Sequence, residues 1–148
     1  MFLYEYKMER GIAMDSRVES YFEDIKGKKI AFLGIGGSNL PLAKIFRQKG
    51  AIVFACDKRE KEQLGKTGEE LEQMGITLKL GEHYLEQLDV DMMFRTPGMR
   101  FHTKELEQAR EKGIVVTSEM EVFFDLCPCP IYAVTGSDGK TTTTTIIS

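Results

Sequence analysis

Ala133-Val134-Thr135-Gly136-Ser137-Asp138-Gly139-Lys140-Thr141-Thr142 is the stretch whose residue types and spacing carry the plainest chemistry. An apolar run over 131–134 feeds a glycine-containing turn, and Lys and Thr follow it. Successive backbone N–H groups at such a turn point at an anion, the Lys ammonium reaches terminal phosphates, and the Thr hydroxyl can hold Mg²⁺. The expectation is an ATP-type phosphate cradle made by Gly136, Ser137, Asp138, Gly139, Lys140, Thr141 and Thr142. Lys140 and Thr141 would be its catalytic pair, with Thr141 the Mg²⁺ ligand. The general phosphate-loop pattern asks for Gly at position 134, where this chain has Val134, so the loop is a variant. The bland alternative is a tight turn followed by a Thr-rich end.

A second glycine loop lies upstream. Gly34-Ile35-Gly36-Gly37-Ser38-Asn39 follows an apolar run over 29–33, and Asp57 ends the next apolar run, 51–56. A strand, a Gly-rich turn, a helix, a strand and then an acidic residue outline a dinucleotide-binding βαβ unit. The third glycine position holds Asn39, which is expected to crowd the helix against the strand and argues against NAD. Gly36, Gly37 and Ser38 still offer donors at a helix N-terminus, suited to phosphate or a polar ring edge. Asp57 could accept from a ribose hydroxyl or a base N–H, and Arg59 could face a diphosphate or stack on a base. In the structural alternative Asp57 only caps a helix.

These loops need a scaffold, and the composition allows one. With 148 residues, 42% hydrophobic and 29% charged, the chain can bury one sizeable core. Its net charge of −3 excludes a generic nucleic-acid surface, which needs a basic excess. The first 15 residues are interrupted by charges and lack a signal peptide's apolar core, and no apolar run reaches membrane-spanning length, so a cytoplasmic location is expected. The cysteine count is odd, and Cys127-Pro128-Cys129 lacks the companions of a zinc site.

Periodicity predicts a helix over 16–26 packed at a sheet edge, a strand over 29–33, a helix to about position 49 and a strand over 51–56. A charged helix over 60–74, a strand over 77–80, a short helical piece around 84–88 and a strand over 92–95 come next. A helix over 103–112, a strand over 114–117 and a helix opened by the Ser118/Glu121 capping box complete the series. Strict alternation of this kind implies an α/β fold, a Rossmann-like, doubly wound, five-stranded parallel sheet. The Pro97-Gly98 break falls where open parallel sheets place ligand loops. Pro128 and Pro130 mark a linker, and a further strand is expected at 131–134. The expected division is a tail and helix over 1–27, a Rossmann-like substrate domain over 28–127, a linker over 128–130, and the start of a truncated ATP-binding domain over 131–148.

Two phosphate loops in this order, with a Pro-rich linker between them, are the frame for a family resemblance. Gly34-Ile35-Gly36, Asp57-Lys58-Arg59, Thr96-Pro97-Gly98-Met99, Thr117-Ser118-Glu119-Met120-Glu121-Val122-Phe123 and Val134 to Thr142 together resemble the N-terminal part of the Mur ligases, most closely their D-glutamate-adding branch. The family's usual loop has Thr-Asn where this chain has Ser137-Asp138. The resemblance implies an N-terminal domain that grips the UDP end of UDP-N-acetylmuramoyl-L-alanine, a central ATP- and Mg²⁺-binding domain and a C-terminal domain for D-glutamate. It implies ATP phosphorylation of the substrate carboxylate and attack by the D-glutamate amine on the acyl phosphate, in peptidoglycan synthesis. By position, Gly37, Ser38, Asp57, Lys58 and Arg59 would sit at the uridine end and Gly98 near the diphosphate, with Gly36 a further contact of the UDP-sugar. The chain alone is then expected to be an inactive fragment.

Two other functions remain open on the sequence alone, a stand-alone nucleotide-binding module and an NAD(P)-binding Rossmann domain. Arg95 and Arg100 bracket the Pro-Gly loop, either facing a diphosphate or solvated. An exposed strand edge at 131–134 would be expected to pair with a second copy, giving a dimer.

Overall fold

The computed structural model describes residues 16–86 and 88–147. The expected tail therefore lies outside the described residues up to position 15. Five short strands carry the fold: β1 (Lys29–Leu33), β2 (Ile52–Asp57), β3 (Thr77–Leu80), β4 (Met92–Arg95) and β5 (Val115–Thr117). They form one sheet in the order β3-β2-β1-β4-β5, every pairing parallel. The helices are α1 (Ser16–Asp24), α2 (Asn39–Gln48), α3 (Lys61–Leu64), α4 (Lys66–Gln73), α5 (Lys104–Glu111), α6 (Glu119–Leu126) and α7 (Lys140–Ile147).

The apolar runs become strands because both sheet faces are covered. Ile30, Phe32, Val53, Ala55 and Phe94 belong to one buried cluster, and the alternate residues Ala31, Leu33, Cys56 and Met93 belong to another. Residues from α1, α2, α3 and α4 pack in the first cluster, and Leu106 and Ala109 of α5 pack in the second. Phe32 stacks on Phe94 at 4.8 Å, and Phe46 of α2 meets both rings edge-on at 5.4 and 5.1 Å. Tyr21 and Phe22 of α1 add edge contacts to Phe46. This helix therefore lies on the sheet face beneath β1 and β4, a correction to its expected place at an edge. Its aromatic pair packs against the buried cluster around Phe46.

Three other expectations change. The helix expected over 60–74 is two helices, because Gly65 adopts φ +50 between them. The helical piece around 84–88 is a pair of tight turns, with Tyr84 N–H donating to the Gly81 carbonyl and Glu86 N–H to that of His83. The strand expected at 131–134 does not form. With no ladder partner among the described residues Ile131, Tyr132 and Ala133 stay exposed, Tyr132 at 85%, and the edge expected to support a dimer is absent there. No helix among the described residues is long and apolar enough to cross a membrane.

Candidate functional site

Parallel register brings the C-terminal ends of the strands to one rim, with Leu33 beside Cys56 and Arg95, and Asp57 beside Leu80. At β1 the chain order reverses, since β2 lies on one side and β4 on the other. Loops diverge at such a switch point and leave a crevice. Here the crevice is a cleft of about 370 Å³ lined by Gly34, Ile35, Gly36, Asp57, Lys58, Arg59, Tyr84, Thr96, Gly98 and Met99.

The glycine loop is held from two directions. Gly34 turns the chain out of β1 at φ +88, its N–H donating to the Cys56 carbonyl at 2.6 Å. A Cβ on Gly34 would lie 2.8 Å from Thr96 Cγ2, so glycine lets the β1 and β4 loops close together. Asn39, the first residue of α2, is fully buried, and its Nδ2 faces the carbonyls of Leu33, Gly34 and Phe94 at 3.0, 3.1 and 3.4 Å. Its side chain thus ties β1 to β4 rather than crowding the helix, which corrects the steric expectation for this position.

Asp57 holds the loop from the other side. One carboxylate oxygen accepts from the Ile35 N–H at 2.7 Å and from Arg59 Nη2 at 2.9 Å. The other accepts from the Arg59 N–H at 2.9 Å and from Arg59 Nε at 3.0 Å. Arg59 Nη2 also donates to the Ile35 carbonyl at 2.6 Å, so both polar backbone groups of Ile35 are secured. Burial raises the Asp57 carboxyl pKa, but the Arg59 and Ile35 donors outweigh that and bring it down to about 2. The guanidinium plane of Arg59 is fixed beside the cleft, leaving Lys58 as a cation without a direct acidic partner among the described residues.

The cleft unites five of the seven residues expected at the UDP end, Gly36, Asp57, Lys58, Arg59 and Gly98. Gly37 and Ser38 instead line a neighbouring apolar groove with Pro41, Phe46, Met120 and Phe123. The sequence reading missed Tyr84, Thr96 and Met99 as cleft residues; their position just beyond strand C-termini was the available signal. Arg95 is committed inward, its Nη2 3.1 Å from Glu121 Oε1; burial raises the Glu121 carboxyl pKa, but Arg95 together with the Thr117 and Ser118 hydroxyls outweighs that and holds it below its ordinary range. Ser118 caps α6 as expected, its Oγ accepting from the Glu121 N–H at 3.4 Å.

The second loop forms apart from the sheet. Gly136, Ser137, Asp138, Gly139, Lys140, Thr141 and Thr142 are all exposed, with α7 opening at Lys140. The Lys140 ammonium is folded back on the carbonyls of Gly136 and Ser137. Gly139 takes φ +76 immediately before the helix, so the loop has the backbone turn, helix N-terminus and Lys/Thr pair that suit a triphosphate with Mg²⁺. Among the described residues no cluster of acidic, His and Cys side chains could hold a metal ion by itself.

Residues 28–118 match the family described as Mur ligase MurD-like, N-terminal domain. Over 135 residues, 90% of this chain, the sequence is 50% identical to the UDP-N-acetylmuramoylalanine–D-glutamate ligase of Acetivibrio thermocellus and 48% identical to that of Clostridium botulinum. The chain spans 29% and 30% of the lengths of these relatives. In solved structures it is similar to UDP-N-acetylmuramate-alanine ligase MurC of Thermotoga maritima, at 30% identity and TM-score 0.54 over 81% of this chain and 28% of that one. The murein peptide ligase Mpl of Psychrobacter arcticus gives 28% identity and TM-score 0.55 over 82% of this chain and 25% of that one.

Proposed function

Because the chain belongs to the Mur ligase MurD-like N-terminal domain family, we propose that its sheet domain is the UDP-gripping part of an ATP-dependent ligase that joins D-glutamate to UDP-N-acetylmuramoyl-L-alanine in peptidoglycan synthesis. The observation that carries the reading is the cleft at the switch point, built from the loops after β1, β2, β3 and β4. Its chemistry suits a nucleoside diphosphate. The backbone of Gly34 to Gly36 and Gly98 approaches without side-chain obstruction at the diphosphate end. Lys58 and the fixed guanidinium of Arg59 supply positive charge and a planar face at the nucleoside end. Asp57 does the positioning, holding the glycine loop and Arg59 at once.

In the longer enzyme Gly136 to Thr142 would cradle the ATP phosphates. ATP with Mg²⁺ would activate the substrate carboxylate, which is a poor electrophile until one oxygen becomes a leaving group. Lys140 would release its loop carbonyls to neutralise phosphate charge, and the Thr141 hydroxyl would face the metal. The reaction would take place in the cytoplasm. Residues 28–127 would form the substrate domain, 128–130 its linker and 131–148 the beginning of the ATP-binding domain.

Calorimetric titration tests the proposal, with UDP-N-acetylmuramoyl-L-alanine, UDP and NADH as ligands. Saturable binding of the two UDP compounds and no binding of NADH is the expected result. NADH binding in place of UDP binding would overturn the reading and restore a dehydrogenase-type domain, as would the absence of any UDP binding.

A further inference from the structure

The cleft presents few side-chain groups that could accept a hydrogen bond from a ligand. Asp57 is the residue that sequence logic appoints, yet its carboxylate already receives four N–H donors. A carboxylate has roughly four lone-pair sites, so its capacity is spent inside the protein. Releasing one bond would free a backbone N–H or unlock the guanidinium, and each such loss costs about 1–3 kcal/mol where the group stays buried.

Tyr84 lines the same end of the cleft. It lies in the turn that follows β3, the strand beside β2, and its ring packs against the buried cluster containing Leu33, Cys56 and Met93. That packing fixes the ring while the residue stays half-buried. Its hydroxyl has no hydrogen-bond partner among the described residues, although the Asp57 charge is near enough to act on it. Burial is the larger cause and Asp57 the next of a rise in the phenol pKa, so the group is a neutral O–H able both to donate and to accept. A partly buried tyrosine hydroxyl ordinarily finds a partner. Here the space that Tyr84 lines is the cleft.

We propose that the Tyr84 hydroxyl, and not the Asp57 carboxylate, is the side-chain group that hydrogen-bonds the nucleoside of the bound nucleotide. Tyr84 is then a binding residue and Asp57 a positioning residue, while the amides of the glycine loop serve the charged part of the ligand. The assignment rests on the UDP-binding reading of the cleft.

The test is calorimetric titration of the 148-residue chain and its Tyr84→Phe variant with UDP, alongside thermal unfolding of both. The substitution keeps the ring and its packing, so the unfolding midpoint is expected to stay unchanged. Affinity for UDP is expected to fall roughly three- to tenfold, the range of one neutral hydrogen bond. Affinity within twofold of the parent overturns the assignment while leaving the UDP-binding reading in place. A parent chain that binds no UDP overturns both. A fall in affinity accompanied by an equal loss of stability also overturns the assignment, because it marks the hydroxyl as structural.

Discussion

The Asp57 carboxyl is brought down to about 2 from 3.8, and its side chain is only 7% exposed. A depressed carboxyl contributes stability that is fully present above its unfolded value and is lost as pH falls through the folded one. The contribution should therefore fade between about pH 5 and pH 2, on the order of 2 kcal/mol before screening by water around the half-exposed Arg59 is allowed for. Asp57→Asn is expected to cost about 1–3 kcal/mol near neutral pH, since its amide NH2 donates where one of the two accepting oxygens stood and leaves two N–H donors without an acceptor. It should also flatten the acid limb of the stability curve and weaken UDP binding at least tenfold. Urea unfolding across a pH series checks the first two effects, and parallel curves for parent and variant would contradict them. That Asp57 lies at the cleft was legible in the sequence from its place at the end of β2. Its commitment to Ile35 and Arg59 was not, because that depends on how the loop after β1 bends back over the rim.

At the scale of elements, two glycines in one loop have separable jobs. Gly34 has φ +88 and closes against Thr96, whereas a Cβ on Gly36 meets nothing within 4 Å. Gly34→Ala is expected to destabilise the domain by about 1–3 kcal/mol through backbone strain and displacement of the β4 loop. Gly36→Ala is expected to leave the unfolding midpoint within a degree or so while its methyl group, placed at the cleft, reduces UDP affinity. Thermal melts and titrations of both variants distinguish the two roles. Equal melting losses would contradict the division. Asn39→Gly restores a dinucleotide-type spacing, yet the expected outcome is a loss of about 1–3 kcal/mol without gain of NADH binding, because three strand-end carbonyls lose their donor. The strands were legible as short apolar runs, and the Ser118 cap from its spacing to Glu121. Asn39 was misread because the fingerprint describes steric room and says nothing of a side chain that bonds both strands it touches. The run over 131–134 was misread for the opposite reason. Its residue pattern suits a strand, but pairing depends on a neighbour that the pattern does not contain.

For the whole molecule, the order β3-β2-β1-β4-β5 is what turns separate loops into a site. Alternation of apolar runs and helical patterns made the parallel sheet readable, and the βαβ unit made the Gly34 to Arg59 half of the cleft readable with it. The other half comes from Thr96 and Met99, brought beside the glycine loop by the crossover to β4, and from Tyr84 in the turn after β3, all distant from that loop in sequence. Lys140 and its loop stand outside the cleft, so the proposed UDP and ATP sites would be separate structures on this chain. The most direct test of that account is to titrate UDP-N-acetylmuramoyl-L-alanine into isotope-labelled chain and follow the backbone amide resonances. The largest shifts are expected at Gly34 to Gly36, Lys58, Arg59 and Gly98, with Gly136 to Thr142 unmoved. Shifts concentrated in Gly136 to Thr142, or none around the cleft, would contradict the assignment of the UDP site.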